Sequence, residues 1–279
     1  MNTLQQEEAD RFLFTGEYDN RFDIWPGNTF VDRVKSGEAA LRGVLVSAVR
    51  HAGELVAPPC LESMDLSAFA QAKFLPMVSG LFPPQERLPI LNMLERAVVF
   101  LTPEATVTVL KNTTWLSTAW KLANIYLESC ASKMLSDEAP TIVGLSEETT
   151  CYVSMEYFRS DNQFDDYVVH EAAHIFHNCK RETVGLPADR RREWLLDIDF
   201  AKRETFAYAC EAFSRILDIG GSRAERNRLL SELAKGPMPP DRRVDGAEYV
   251  DILREAVAAR NGWKRIRERC SPAKPARHD

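Results

Sequence analysis

The sequence predicts an α+β fold, largely helical, with a small sheet in its middle third. Three observations predict it. Apolar residues recur at helical spacing through the first third and again beyond residue 200. Two β-branched runs interrupt that pattern, residues 106–110 (Thr-Val-Thr-Val-Leu) and 141–143 (Thr-Ile-Val). Residues 151–157 then alternate, with Cys151, Val153, Met155 and Tyr157 on one face and Tyr152, Ser154 and Glu156 on the other, as a half-buried strand does. There is no internal repeat.

Taken in order, Leu41, Val44, Leu45 and Ala48 form the apolar stripe of a helix over 38–51. Pro58-Pro59 and Pro83-Pro84 bracket a helix or turn around 66–77. Further helices are expected over 86–98 and, more strongly, 116–128. A helix over 203–218 is closed by Gly220-Gly221, and another spans 248–260. The basic stretch 260–279 reads as a solvated or frayed end. Three segments result: a helical region of unassigned role (1–100), a central core (101–220) and a helical C-terminal region with the basic tail (221–279).

Composition narrows the function. The 279 residues, 45% of them hydrophobic, can bury a core without a disulfide framework or a structural metal. The balance of 35 basic against 41 acidic residues gives −6, which disfavours a general nucleic-acid binder. No apolar run approaches the ~20 residues of a membrane span, and residues 1–10 are polar and acidic, so a soluble cytoplasmic protein is expected. The six cysteines form no CxxC pair, which argues against a zinc ribbon and for reduced thiols.

The informative residues are histidines. His170-Glu171-Ala172-Ala173-His174 fits the pattern H-E-x-x-H. On a helix the two histidines stand about 40° apart, one turn above the other, so both rings can reach one metal ion. Glu171 lies beside that position, able to take a proton from a water held there. Asp165 and Asp166 suit the first turn of this helix, and Val168, Ala172, Ile175, Phe176 and Cys179 form its apolar face. His177 shares the face of His170 but sits about 10 Å along the axis, too far to share the ion. It remains a residue behind the ligands, a substrate-facing residue or a plain surface histidine.

A catalytic zinc site needs a third protein ligand. In the helix over 203–218, Phe206, Ala209, Cys210, Phe213, Ile216 and Leu217 form the apolar side, and Glu204, Tyr208, Glu211 and Arg215 stack on the other. Glu211 and Arg215 suit an ordinary surface pair at i, i+4. Glu204 is therefore the leading candidate, with Glu182, Asp189, Asp197 and Asp199 of the intervening loop as competitors. For the developing oxyanion, Tyr208 leads over Arg203 and Tyr152.

An H-E-x-x-H followed some thirty residues later by a helical glutamate resembles the gluzincin metallopeptidases. With Glu204-Thr205-Phe206-Ala207 in place of E-x-x-A, it is most similar to the ImmA/IrrE family of small bacterial metallopeptidases. The resemblance covers roughly residues 141–217. It implies a zincin-like core, in which an active-site helix lies under a small sheet and the ligand glutamate comes from a following helix. It also implies Zn2+ as cofactor, residues 151–157 as the sheet edge that pairs with an extended substrate, and hydrolysis of a peptide bond in a protein or peptide. Where thermolysin-like gluzincins place an aspartate four residues after the ligand glutamate, this chain has Tyr208, so the groups behind the histidines are unassigned. Two alternatives stand beside that expectation: a zinc-dependent hydrolase of a non-peptide amide, and a non-catalytic regulatory protein that keeps the scaffold. Glu171 argues against the second, because a purely structural site has no use for a base.

Overall fold

The computed structural model describes residues 1–52, 64–159, 162–189 and 192–273; Pro58-Pro59, Cys60, Lys274 and Arg277 lie outside them. In chain order the α-helices are α1 (Thr3–Thr15), α2 (Phe30–Arg50), α3 (Leu66–Leu81), α4 (Pro84–Leu94), α5 (Pro103–Asn112), α6 (Leu116–Ser129), α7 (Tyr167–Asn178), α8 (Arg203–Ile219), α9 (Arg223–Leu233), α10 (Gly246–Ala258) and α11 (Gly262–Cys270). The strands are β1 (Val98–Phe100), β2 (Gly144–Glu147) and β3 (Thr150–Val153), in the order β1-β3-β2. The fold is α+β. No helix among the described residues is long and apolar enough to cross a membrane.

The chain forms two compact units, interleaved in sequence. One comprises Met1–Ser63, Val99–Leu145 and Tyr152–Arg159; the other comprises Met64–Val98, Ser146–Cys151 and Ser160–Asp279. Each therefore draws on more than one of the segments 1–100, 101–220 and 221–279.

In the first unit α2 packs against α5 and α6, around Leu41, Leu45, Leu110 and Leu122. Here the structure corrects the β reading of 106–110, which is helical. Thr102 caps α5 by accepting from Ala105 N at 3.1 Å, Pro103 starts the helix, and Thr106 Oγ1 donates back to the Thr102 carbonyl at 2.7 Å. Strand preference spans about 1 kcal/mol. A cap contributes about 1 kcal/mol, and burying Leu110 roughly 1.5–3 kcal/mol, so the helix wins.

Residues 141–143 also fall outside any strand, since β2 starts at Gly144. The alternation over 151–157 persists only to Val153; Ser154 then caps a 3-10 turn, Met155–Phe158. β2 and β3 are joined by a two-residue turn in which Glu148 takes φ 51, so they are antiparallel. Cys151 N donates to Ala97 O and Leu101 N to Val153 O, a parallel pairing of β1 with β3. β3 is thus the central strand, and the edge expected at 151–157 belongs to β1 and β2. The helix expected over 86–98 stops at Leu94, because Val98 enters β1.

In the second unit α7 and α8 lie side by side, with α11 packed on α3 and α8. Close approach is enforced by small residues: a Cβ on Gly80 would run into the Trp263 indole, and one on Gly262 into the Phe213 ring. The basic stretch expected to be solvated is therefore helical up to Cys270, with Trp263, Ile266 and Cys270 buried. The turn after α7 is pinned by Arg181, 1% exposed, whose guanidinium meets Glu86 of α4 at 2.8 and 3.2 Å, with Arg192 on the same carboxylate at 2.6 Å. Burial alone would raise the Glu86 pKa, but the two arginines outweigh it and hold it below the ordinary value. Glu86→Ala leaves the Arg181 charge buried and uncompensated, and should cost about 3–5 kcal/mol. Urea unfolding of the variant checks this, and a loss under 1 kcal/mol would contradict it.

Candidate metal centre

Asp166 opens α7. Its side chain is wholly buried, accepts from Val169 N and receives Lys73 Nζ of α3 at 2.6 Å. From that cap, His170 and His174 project on one face, one turn apart, while Val168, Ala172, Ile175 and Phe176 are buried in the core. On the neighbouring α8, Glu204 occupies the first turn. The helices bring three donor atoms together. His170 Nε2 and His174 Nε2 are 3.1 Å apart, and Glu204 Oε2 lies 3.9 and 3.5 Å from them. Bonds of about 2.0–2.1 Å to a tetrahedral ion put neighbouring donors about 3.3 Å apart, so this set fits one. Among the described residues, these three form the group of His, Cys, Asp and Glu that can hold a metal ion; Glu182, Asp189, Asp197 and Asp199 do not belong to it.

Hydrogen bonding aims these atoms. Glu211, two turns along α8 from Glu204, accepts from Asp166 N at 2.7 Å and faces His170 Nδ1 at 3.0 Å. The Nδ1–H of His170 therefore donates to Glu211, and its Nε2 faces the cluster. This overturns the reading of Glu211 and Arg215 as a surface pair. Glu211 is 4% exposed, and Arg215 instead donates to the Gln163 carbonyl and pairs with Asp218. The signal was available: seven residues advance a helix by two turns, so Glu211 shares the face of Glu204. The ligand Glu204 is held from outside by Arg243, which reaches its Oε1 at 3.1 Å and is itself gripped by Asp241. Nothing in the sequence pattern pointed to that loop.

Glu171 is 7% exposed and is not one of the three residues whose donor atoms converge. Burial raises its pKa, although the charges of His174 and His170 and a hydrogen bond from Ser146 of β2 oppose the rise. Tyr208 lies edge-on to His170, with ring centroids 4.5 Å apart. Burial first, and then the charges of Glu211 and Glu204, push its pKa up, so the phenol stays protonated. Of the other two oxyanion candidates, Arg203 bonds Asn178, and Tyr152 belongs to the first unit. His177 is 3% exposed and contacts His174, which excludes a plain surface role.

Burial works against a charged His170, but the Glu211 hydrogen bond and the charges of Glu211, Glu171 and Glu204 outweigh it and raise its pKa to about 9. Metal-free His170 is then protonated at neutral pH, and a metal must displace that proton. Zinc affinity should climb about tenfold per pH unit through neutrality and level off near pH 9. Glu211→Gln should move the break to lower pH. Chelator competition across pH measures both, and an affinity independent of pH between 6 and 8 would contradict the assignment.

No protein family, curated protein or solved structure with which the chain was compared matches it.

Proposed function

We propose that this protein is a zinc-dependent metallopeptidase with a zincin-like core, acting on a peptide bond of a protein or peptide substrate in the cytosol. One observation carries the reading. Two imidazole nitrogens and one carboxylate oxygen converge at separations of 3.1, 3.5 and 3.9 Å, and the charges of all three residues act on a second, buried carboxylate, Glu171, that is not part of the set. An N2O donor set suits zinc, and three protein ligands leave the fourth position open, as catalysis requires. The five cysteines among the described residues are all free thiols, which supports a reducing compartment.

When bound, zinc supplies Lewis acidity to the scissile carbonyl and makes a water easier to deprotonate. His170, His174 and Glu204 would hold it. The chain's own residues do the rest. Glu171, its proton affinity raised by burial, takes the proton of the attacking water and passes it to the leaving amine. Ser146 fixes the Glu171 carboxylate by hydrogen bonding. Tyr208 keeps its proton and donates a hydrogen bond to the developing oxyanion. Because β3 is internal to the sheet, the strand edge that an extended substrate joins is assigned to β2, which carries Ser146.

The test is elemental analysis of the purified chain together with digestion of an unfolded protein and a broad peptide library. About one zinc per chain and peptide cleavage abolished by a chelator are expected. A chain that takes up no metal ends the reading. Metal uptake with cleavage only of non-peptide amides would transfer it to the other hydrolase class.

A further inference from the structure

His177 was excluded as a ligand by its position along the helix, yet it is nearly the most deeply buried of the polar groups around the site. Its Nε2 lies 3.0 Å from His174 Nδ1, and its Nδ1 lies 3.1 Å from Asn178 Oδ1. Asn178 ends α7 and Arg203 begins α8, and Arg203 Nη1 donates to the same Asn178 Oδ1 at 3.4 Å. These contacts have a direction. A guanidinium can only donate, so the amide atom facing it is the oxygen. That oxygen can only accept, so a neutral His177 ring carries its hydrogen on Nδ1 and its Nε2 is bare. A bare His177 Nε2 in turn requires the hydrogen of His174 on Nδ1. His174 Nε2 is left with its lone pair facing His170 and Glu204.

We propose that Arg203, Asn178 and His177 form a relay that fixes the tautomer of His174, presenting its Nε2 to the metal; this rests on the metallopeptidase reading and extends it to how the second ligand is prepared. His177 and Asn178 are positioning residues, acting through His174. The relay also spans the two ligand-bearing helices, since Arg203 immediately precedes Glu204 and its guanidinium is steadied over the Phe200 ring at 5.2 Å.

The experiment uses the full chain with 15N-labelled histidine at pH 8. Long-range proton–nitrogen correlation should show His177 as the Nδ1–H tautomer in the metal-free protein, and His174 as Nδ1–H once zinc is added. Asn178→Leu removes the acceptor and should lower zinc affinity by about 10–100-fold in chelator competition. Asn178→Asp keeps the acceptor oxygen and should stay within about threefold of wild type. His177→Ala should retain measurable zinc binding, since it removes no ligand. An Nε2–H tautomer of His177, or unchanged zinc affinity in a folded Asn178→Leu protein, would overturn the relay. Should Asn178→Leu not fold, the wild-type tautomer decides alone. Should wild type take up no zinc, the metallopeptidase reading fails, while the metal-free spectrum still decides the relay.

Discussion

Glu171→Gln should keep its zinc and lose turnover by roughly 10²–10⁴, the usual contribution of a positioned general base. The substitution preserves size and the bond to Ser146 while removing the ability to take a proton. The three atoms that converge on the metal position belong to His170, His174 and Glu204, so the site itself is untouched. Replacing a buried carboxylate of raised proton affinity by a neutral amide also removes a desolvation penalty, so the variant should be at least as stable as wild type. The measurement is kcat on a cleavable peptide beside zinc content and thermal melting of the same preparation. A zinc-loaded Glu171→Gln enzyme working at the wild-type rate would remove Glu171 as base. If both proteins are zinc-loaded and inert on every peptide tried, the non-catalytic alternative is favoured.

The opposite dissociation is expected on the ligands. His170→Ala, His174→Ala and Glu204→Ala should each lose most of the bound zinc after dialysis against a weak chelator, because two protein donors do not hold the ion against water. The three should differ in stability. His170→Ala strands the buried Glu211 carboxylate without its imidazole partner, which should destabilise the fold by about 1–3 kcal/mol. Glu204→Ala frees Arg243, a 63% exposed side chain that water solvates readily, so its fold should be close to wild type. Inductively coupled plasma analysis reads the metal and urea unfolding reads the fold. Full zinc retention in both histidine variants would remove the basis of the metal centre.

These expectations separate what is local from what is not. The pairing of His170 with His174 is set by helix geometry alone, because residues four apart share a face wherever the helix lies. The same periodicity placed Glu204 and Tyr208 on one side of α8, and the apolar stripe of α7 told which side faces inward. The helix starts expected at 116 and 203 match those of α6 and α8, although neither helix has a side-chain cap, so the apolar periodicity and not the capping chemistry made them legible. The run 106–110 was misread because strand preference is a weak energy that a cap and one buried leucine outweigh. The alternation of 151–157 was legible, but its place in the sheet was not, since strand order depends on pairing with residues some fifty positions away.

The sequence by itself determined the helices that carry the candidate ligands and which side chains share each helical face. The tertiary structure decided what those faces meet. Glu211, legible as sharing the helical face of Glu204 but not as buried, is buried because α7 and its cap lie against it and offer Asp166 N and His170 Nδ1 as donors. His177 gained its role from Asn178 and Arg203, and Glu204 its outer support from Arg243, each brought close by packing of separate elements. The reason is physical. Periodicity records the direction a side chain leaves its own helix, whereas burial, tautomer and ion pairing depend on the dielectric and donors of the neighbour it meets.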